Sequence, residues 1–332
     1  MKNLEEIKNL KQSIEAELLR RPGVTGVDIG YKYVNGEVTD EIVIRVYVTK
    51  KKSVSSYEAI PREIHGIKTD VIESTFDALI STVITEILAE RDTNPLSYNP
   101  LVGGISIGPC LSTNRILYFG TLGAIVEDNN PPYNLLALSN YHVLLAGNFN
   151  QPMNEIAISQ PSRRDGGKCP DDIFGVVMRA ALKDGGSVDC AVASIRGSRA
   201  AEAKIEQIGK VKGTTSATLG MQVRKRGRTT GLTYGIVDGC HATVQINYPD
   251  PIGTITLTDQ ITIVPDPNKS AVWAEEGDSG SAIVMAGSDD EVYLVGLHVS
   301  GNRDGSRGTA NHIHAVERAL NVKVATAEIG RR

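Results

Sequence analysis

Apolar residues first recur at helical spacing. Leu4, Ile7, Leu10, Ile14 and Leu18 predict an amphipathic helix that stops at Arg21-Pro22-Gly23. The period then falls to two. VTGVDIGYKYV and EIVIRVYVT predict two strands joined through Asn35-Gly36, a pair that tolerates the positive φ of a tight hairpin turn. A third apolar stretch, Ile64 to Ile72, follows the break at Ile60-Pro61. Ser74-Thr75-Phe76-Asp77 then suits a helix start, with Phe76, Leu79, Ile80, Val83, Ile84, Ile87 and Leu88 along one face. The pattern predicts a small α-β-β-β-α module over residues 1–91.

Residues 92–100, DTNPLSYNP, have no periodicity and read as a linker. Beyond them the texture changes. Short runs such as GTLGAIVED, LLALSNYHVL, SVDCAVASI, GLTYGIVDG and VYLVGLHVSG are punctuated by Gly, Asp, Asn and Pro, the mark of a barrel or sandwich. Only HAVERAL and ALNVKVATAE near the end read as helical.

Composition narrows the class. A prior of about two domains follows from 332 residues. The 35 basic and 39 acidic residues leave a net charge of −4, too mild for a general nucleic-acid or anionic-membrane binder. Glycine at 33 residues against 5% aromatics suits a turn-rich β protein. The four cysteines, Cys110, Cys169, Cys190 and Cys240, form no C-x-x-C pair, which argues against a disulfide framework and a four-thiolate zinc site. The first twenty residues hold no secretory h-region, and no run of about 18 apolar residues suggests a membrane span. A soluble cytoplasmic protein is the expectation.

Candidate chemistry centres on Gly277-Asp278-Ser279-Gly280-Ser281. A serine flanked by glycines at the mouth of a strand exposes its hydroxyl beside free backbone N–H groups, which can hold a developing oxyanion. A serine hydroxyl is a poor nucleophile until an imidazole takes its proton and a carboxylate fixes that imidazole's tautomer. His142, in LSNYHVL, and Asp189, in SVDCAVA, supply both in the order His, Asp, Ser. Each residue alone reads as readily as a core histidine, a strand-end cap or a turn serine; the three contexts together point to a triad.

On these motifs, residues 101–332, about 70% of the chain, resemble a chymotrypsin-fold serine peptidase of the trypsin-like superfamily. LSNYHVL resembles its histidine segment, VDCAVA its aspartate segment and GDSGSA its nucleophile loop. Val143 stands where secreted members carry cysteine, and VRKRGRTTGLTYGIV resembles bacterial and plant intracellular members, including the plant narrow-leaf type. The resemblance implies a mostly β protein: a double six-stranded antiparallel β-barrel with its site in the intervening cleft, preceded by the small α+β domain. It implies an oxyanion hole from the Gly277 and Ser279 amides, and a substrate pocket at Trp273, Ala274 and His298. The strand Val295–Gly301 would form the pocket wall and the edge that pairs with substrate backbone. Two preferences stay open: a shallow pocket for small apolar side chains, or His298 as an imidazolium pairing with an acidic one. Leu101-Val102-Gly103-Gly104 resembles the new N-terminus made on activation, with Asp278 as its partner, although Pro100 and the expected compartment favour constitutive assembly.

Other chemistries are weaker. The order of the residues and Ser281 exclude an α/β-hydrolase elbow, and Walker A and H-E-x-x-H strings are absent. His312-x-His314 reads as a structural pair on one strand face, with no third metal ligand nearby. Arg224-Lys225-Arg226-x-Arg228 reads as a solvated basic run. The sequence thus predicts a serine endopeptidase acting on protein or peptide chains without metal, ATP or other cofactor, with neither nucleic acid nor membrane as partner. The N-terminal module would oligomerise the chain or present substrate. The alternative is a catalytically silent scaffold or protein-binding module on a peptidase fold.

Overall fold

The computed structural model describes residues 3–55, 58–78, 81–84, 97–111, 116–196, 199–287 and 290–327. Helix α1 (Leu4–Leu19) begins at a reciprocal cap, the Asn3 side chain accepting from the Glu6 amide while Glu6 accepts from that of Asn3. It buries Ile7 and Leu18 against β1 (Val24–Val34) and β2 (Glu37–Val48). Asn35 and Gly36 turn the hairpin with φ of 53° and 86°. Strand β3 (Ile67–Glu73) lies parallel to β2, and β1 pairs with a strand of the second barrel, so the module extends that barrel's sheet.

A buried ion network fastens this junction. Arg45 donates to Asp28 at 2.6 Å and to Asp238 at 2.7 Å, and Arg307 also reaches Asp238. Gly30 and Gly239 make room for it. A Cβ on Gly30 would lie 2.2 Å from the Arg45 guanidinium carbon, and one on Gly239 would lie 2.0 Å from Asp28.

The expected helix from residue 76 is corrected in its described part. Phe76–Ala78 (β4) and Ser81–Ile84 (β5) are strands, because each has a sheet edge to pair with. The remainder of that predicted helix, and residues 92–96 of the predicted linker, lie outside the described residues.

The first barrel comprises β6 (Ile105–Pro109), β7 (Ile116–Leu122), β8 (Ala124–Asp128), β9 (Leu135–Ser139), β10 (Ala157–Ser159), β11 (Ile173–Leu182) and β12 (Asp189–Ser194), with the one-turn helix α2 (Tyr141–Leu144) after β9. Their order is β8-β9-β12-β11-β10-β6-β7, every pair antiparallel. Only Gly123 separates β7 from β8, so they form one bent strand and the sheet closes on itself.

The second barrel comprises β13 (Gln222–Gly227), β14 (Gly231–Asn247), β15 (Thr254–Pro265), β16 (Ala282–Met285), β17 (Glu291–Gly301) and β18 (Gly308–His312). Each pairs antiparallel with the next around the ring β13-β14-β15-β18-β17-β16. The chain is therefore mostly β, a double antiparallel barrel behind a small α+β module.

Helix α3 (Ile313–Leu320) packs Ile313, Val316 and Leu320 into the core. It ends at Asn321, φ 50°, and β19 (Val322–Val324) returns to pair with β8, so the predicted terminal helix is shorter than its apolar pattern. The cysteine expectation is also corrected: Cys110 and Cys169 form a disulfide, Cα atoms 5.9 Å apart. The fold brings together residues 59 apart in sequence, which spacing could not show.

Candidate active site

Helix α2 places His142 directly after β9, and β12 opens with Asp189. His142 Nδ1 lies 2.5 Å from Asp189 Oδ2. A carboxylate can only accept, so Nδ1 carries the proton and Nε2 is left as the basic nitrogen. Asp189 is held from several sides. Tyr248 OH donates to Oδ2 at 2.8 Å, the Asp189 amide donates to Asn311 Oδ1 at 2.9 Å, and Asn140 Nδ2 donates to the Asp189 carbonyl at 2.7 Å. Burial, then the Asp189 charge, push the Tyr248 phenol well above its usual range, which keeps it a donor.

Ser279 lies beside this pair. A Cβ on Gly120 would sit 2.6 Å from a methyl of Val143, the neighbour of His142, and 3.1 Å from the Ser279 carbonyl. Thr121 N–H donates to that carbonyl at 2.9 Å. The Ser279 hydroxyl donates to the Val299 carbonyl at 3.2 Å, and His142 Nε2 is buried without a hydrogen-bond partner. The base–orienter contact is thus made and the nucleophile–base contact is open. His142 is 0% and Ser279 1% exposed.

The loop of residues 277–281 is built around buried Asp278. Its Oδ1 accepts from the Thr229 and Thr230 amides, and its Oδ2 from Lys225 Nζ at 2.9 Å, Thr230 Oγ1 at 2.6 Å and the Glu275 amide at 3.1 Å. Burial opposes the charge on Asp278, but Lys225 and the Thr230 hydrogen bonds outweigh it and hold the carboxyl below its usual value.

Thr229 orients the peptide before Gly277. Its hydroxyl donates to the Glu276 carbonyl at 2.6 Å. In a trans peptide the following N–H points the opposite way, so Gly277 N–H is aimed away from Thr229. The amides of Asp278, Gly280 and Ser281 donate to backbone carbonyls, whereas those of Gly277 and Ser279 have no acceptor among the described residues. Gly277 has φ +96°, and a Cβ there would lie 2.5 Å from Thr229 Oγ1.

The three residues expected to line a pocket are adjacent but internal. The Trp273 indole and His298 ring meet edge-on, centroids 6.3 Å apart, and Ala274 is buried beside them in the second barrel's core. Burial, then Lys225, bring His298 down to about 3, so the ring is neutral near pH 7 and the acid-pairing alternative loses its cation.

Two further expectations are corrected. Lys225, Arg226 and Arg228 are not a solvated run: they are buried, bonded to Asp278, to the Gly104 carbonyl and to Asp165. His312 and His314 do not share a strand face, because His312 ends β18 against the Cys240 carbonyl while His314 lies on α3 beside Glu317. His312 instead meets His241 and Asp259, candidate ligand atoms within 4.8 Å of one another. Sequence reading missed Tyr248 altogether; a lone tyrosine 59 residues beyond Asp189 carries no spacing signal.

Residues 188–323 match the family model described as Nal1 C-terminal domain, a span that contains Asp189 and Ser279 but not His142. No curated protein matches the chain. Among solved structures, Nocardiopsis protease is 17% identical with a TM-score of 0.47, covering 68% of this chain and 98% of its own. Thermobifida fusca protease A is 18% identical with a TM-score of 0.47, at the same coverages. A glutamic acid specific serine protease described as using a histidine triad in substrate binding is 17% identical with a TM-score of 0.46, covering 68% and 100%.

Proposed function

We propose that this chain is a serine endopeptidase of the trypsin-like superfamily, of the bacterial and plant intracellular, narrow-leaf-like type. Ser279 attacks the scissile carbonyl. His142 takes its proton and returns it to the leaving amine, Asp189 fixes and stabilises the imidazole, and the Gly277 and Ser279 amides receive the oxyanion. Every group these steps use belongs to the chain. The observation that carries the reading is the 2.5 Å Asp189–His142 contact, which leaves Nε2 unpartnered beside a loop with two undonated amides.

The scaffold reading draws on the Ser279 hydroxyl resting on Val299 instead of His142. Casein and peptide-library digests separate the two. Wild type should cleave without added metal or ATP, and Ser279→Ala should lose roughly 10⁴-fold or more of the rate. Equal cleavage by wild type and Ser279→Ala rejects the peptidase.

A further inference from the structure

We infer that strand β4 (Phe76–Ala78) of this chain occupies the substrate-pairing edge of its own site, so that the site is closed in cis and opens when this strand leaves. The inference rests on the peptidase reading. The edge at Val299–Gly301, where a substrate backbone would pair, is already taken: β4 runs antiparallel to it, Ala78 opposite Ser300 and Asp77 opposite Gly301. The other side of β4 pairs with Ile246 and Asn247 at the end of β14.

In the first barrel, β5 runs antiparallel to β7, Ser81 opposite Phe119 and Ile84 opposite Ile116. Both edges touch the nucleophile itself. Val299 takes the Ser279 hydroxyl, and Thr121, two residues beyond Phe119, holds the Ser279 carbonyl. β4 and β5 thus each pair with an edge that contacts Ser279. This is how an extended peptide lies when it adds a strand to a sheet edge.

Side chains anchor β4. Phe76 is fully buried with its ring edge-on to Tyr47, centroids 5.3 Å apart, and it packs in one cluster with Ala78 and Val299. Asp77 accepts from Asn247 Nδ2 and Arg303 Nε, both at 3.3 Å, and Ser74 donates to Asn302 Oδ1 at 2.7 Å. The burial of His142, Ser279 and Ser300 is the other half of the observation: in this state no external peptide reaches them.

The test is the rate at which a fluorophosphonate labels the full-length protein. Phe76→Ala removes the main anchor and should label at least tenfold faster than wild type. Adding the synthetic peptide Glu73–Glu86 in trans should slow it again. Should Phe76→Ala fail to fold by circular dichroism, Asp77→Lys, which repels Arg303, should still label about threefold faster. Rates equal to wild type in folded variants overturn the cis occupancy and leave the peptidase standing. Absence of labelling in every protein rejects the peptidase and this inference together.

Discussion

Asp278 shows how one buried charge organises a site. Its ion-pair partner is Lys225 Nζ, on the neighbouring strand β13, at 2.9 Å. Leu101, the residue matched to a new terminus, is buried in a short strand with its amide on the Ala200 carbonyl. The loop of residues 277–281 is thus held by a charge partner within the chain. Removing one partner of a buried ion pair leaves an uncompensated charge and costs about 3–5 kcal/mol. Lys225→Met should destabilise the protein by that order in urea unfolding, and adding Asp278→Asn should recover much of it. A Lys225→Met protein as stable as wild type would contradict the role given to this pair.

At the scale of elements, legibility followed the number of independent signals. The hairpin 24–48 had period-two strands and an Asn-Gly turn, and α1 had both a cap and a stripe; both formed. The pairing of His142 with Asp189 was readable because each residue stands at a strand boundary, and the fold brings the two side chains together. Residues 76–78 and 81–84 carried one ambiguous signal, since a run rich in apolar residues fits helix and strand alike. Two open sheet edges decided for strand. The run from Arg224 to Arg228 looked solvated because its counter-charges, Asp278 and Asp165, are 53 and 63 residues away from their partners. Tyr248 and the Cys110–Cys169 bond were hidden for the same reason. That disulfide also removes one argument for a cytoplasmic compartment, where such bonds are rare.

For the whole molecule, the strands form two sheets, and one core cluster takes side chains from both barrels and from the returning tail. The Asp28–Arg45–Asp238–Arg307 network lies where the module joins the second barrel. Two histidines held below their usual value make this assembly pH-dependent. His298 is brought down to about 3 and His312 is also lowered, both chiefly by burial. Between pH 6.5 and 4 the unfolded chain therefore binds more protons than the folded one, so stability falls as pH falls and levels off above pH 6.5. Asp165, Asp238 and Asp278, held below their usual values, add their loss only at lower pH. Urea midpoints across that window should decline in wild type and decline less in His298→Met. An equal decline in both would remove His298 from this explanation.

The central claim is that Ser279 is the nucleophile and His142 its base. Its most direct measurement is peptide mapping of the protein after fluorophosphonate treatment. The account predicts a single adduct on Ser279, and a labelling rate at least about 10³-fold lower in His142→Ala. An adduct on another residue, or a Ser279 adduct that forms as fast without His142, would contradict it.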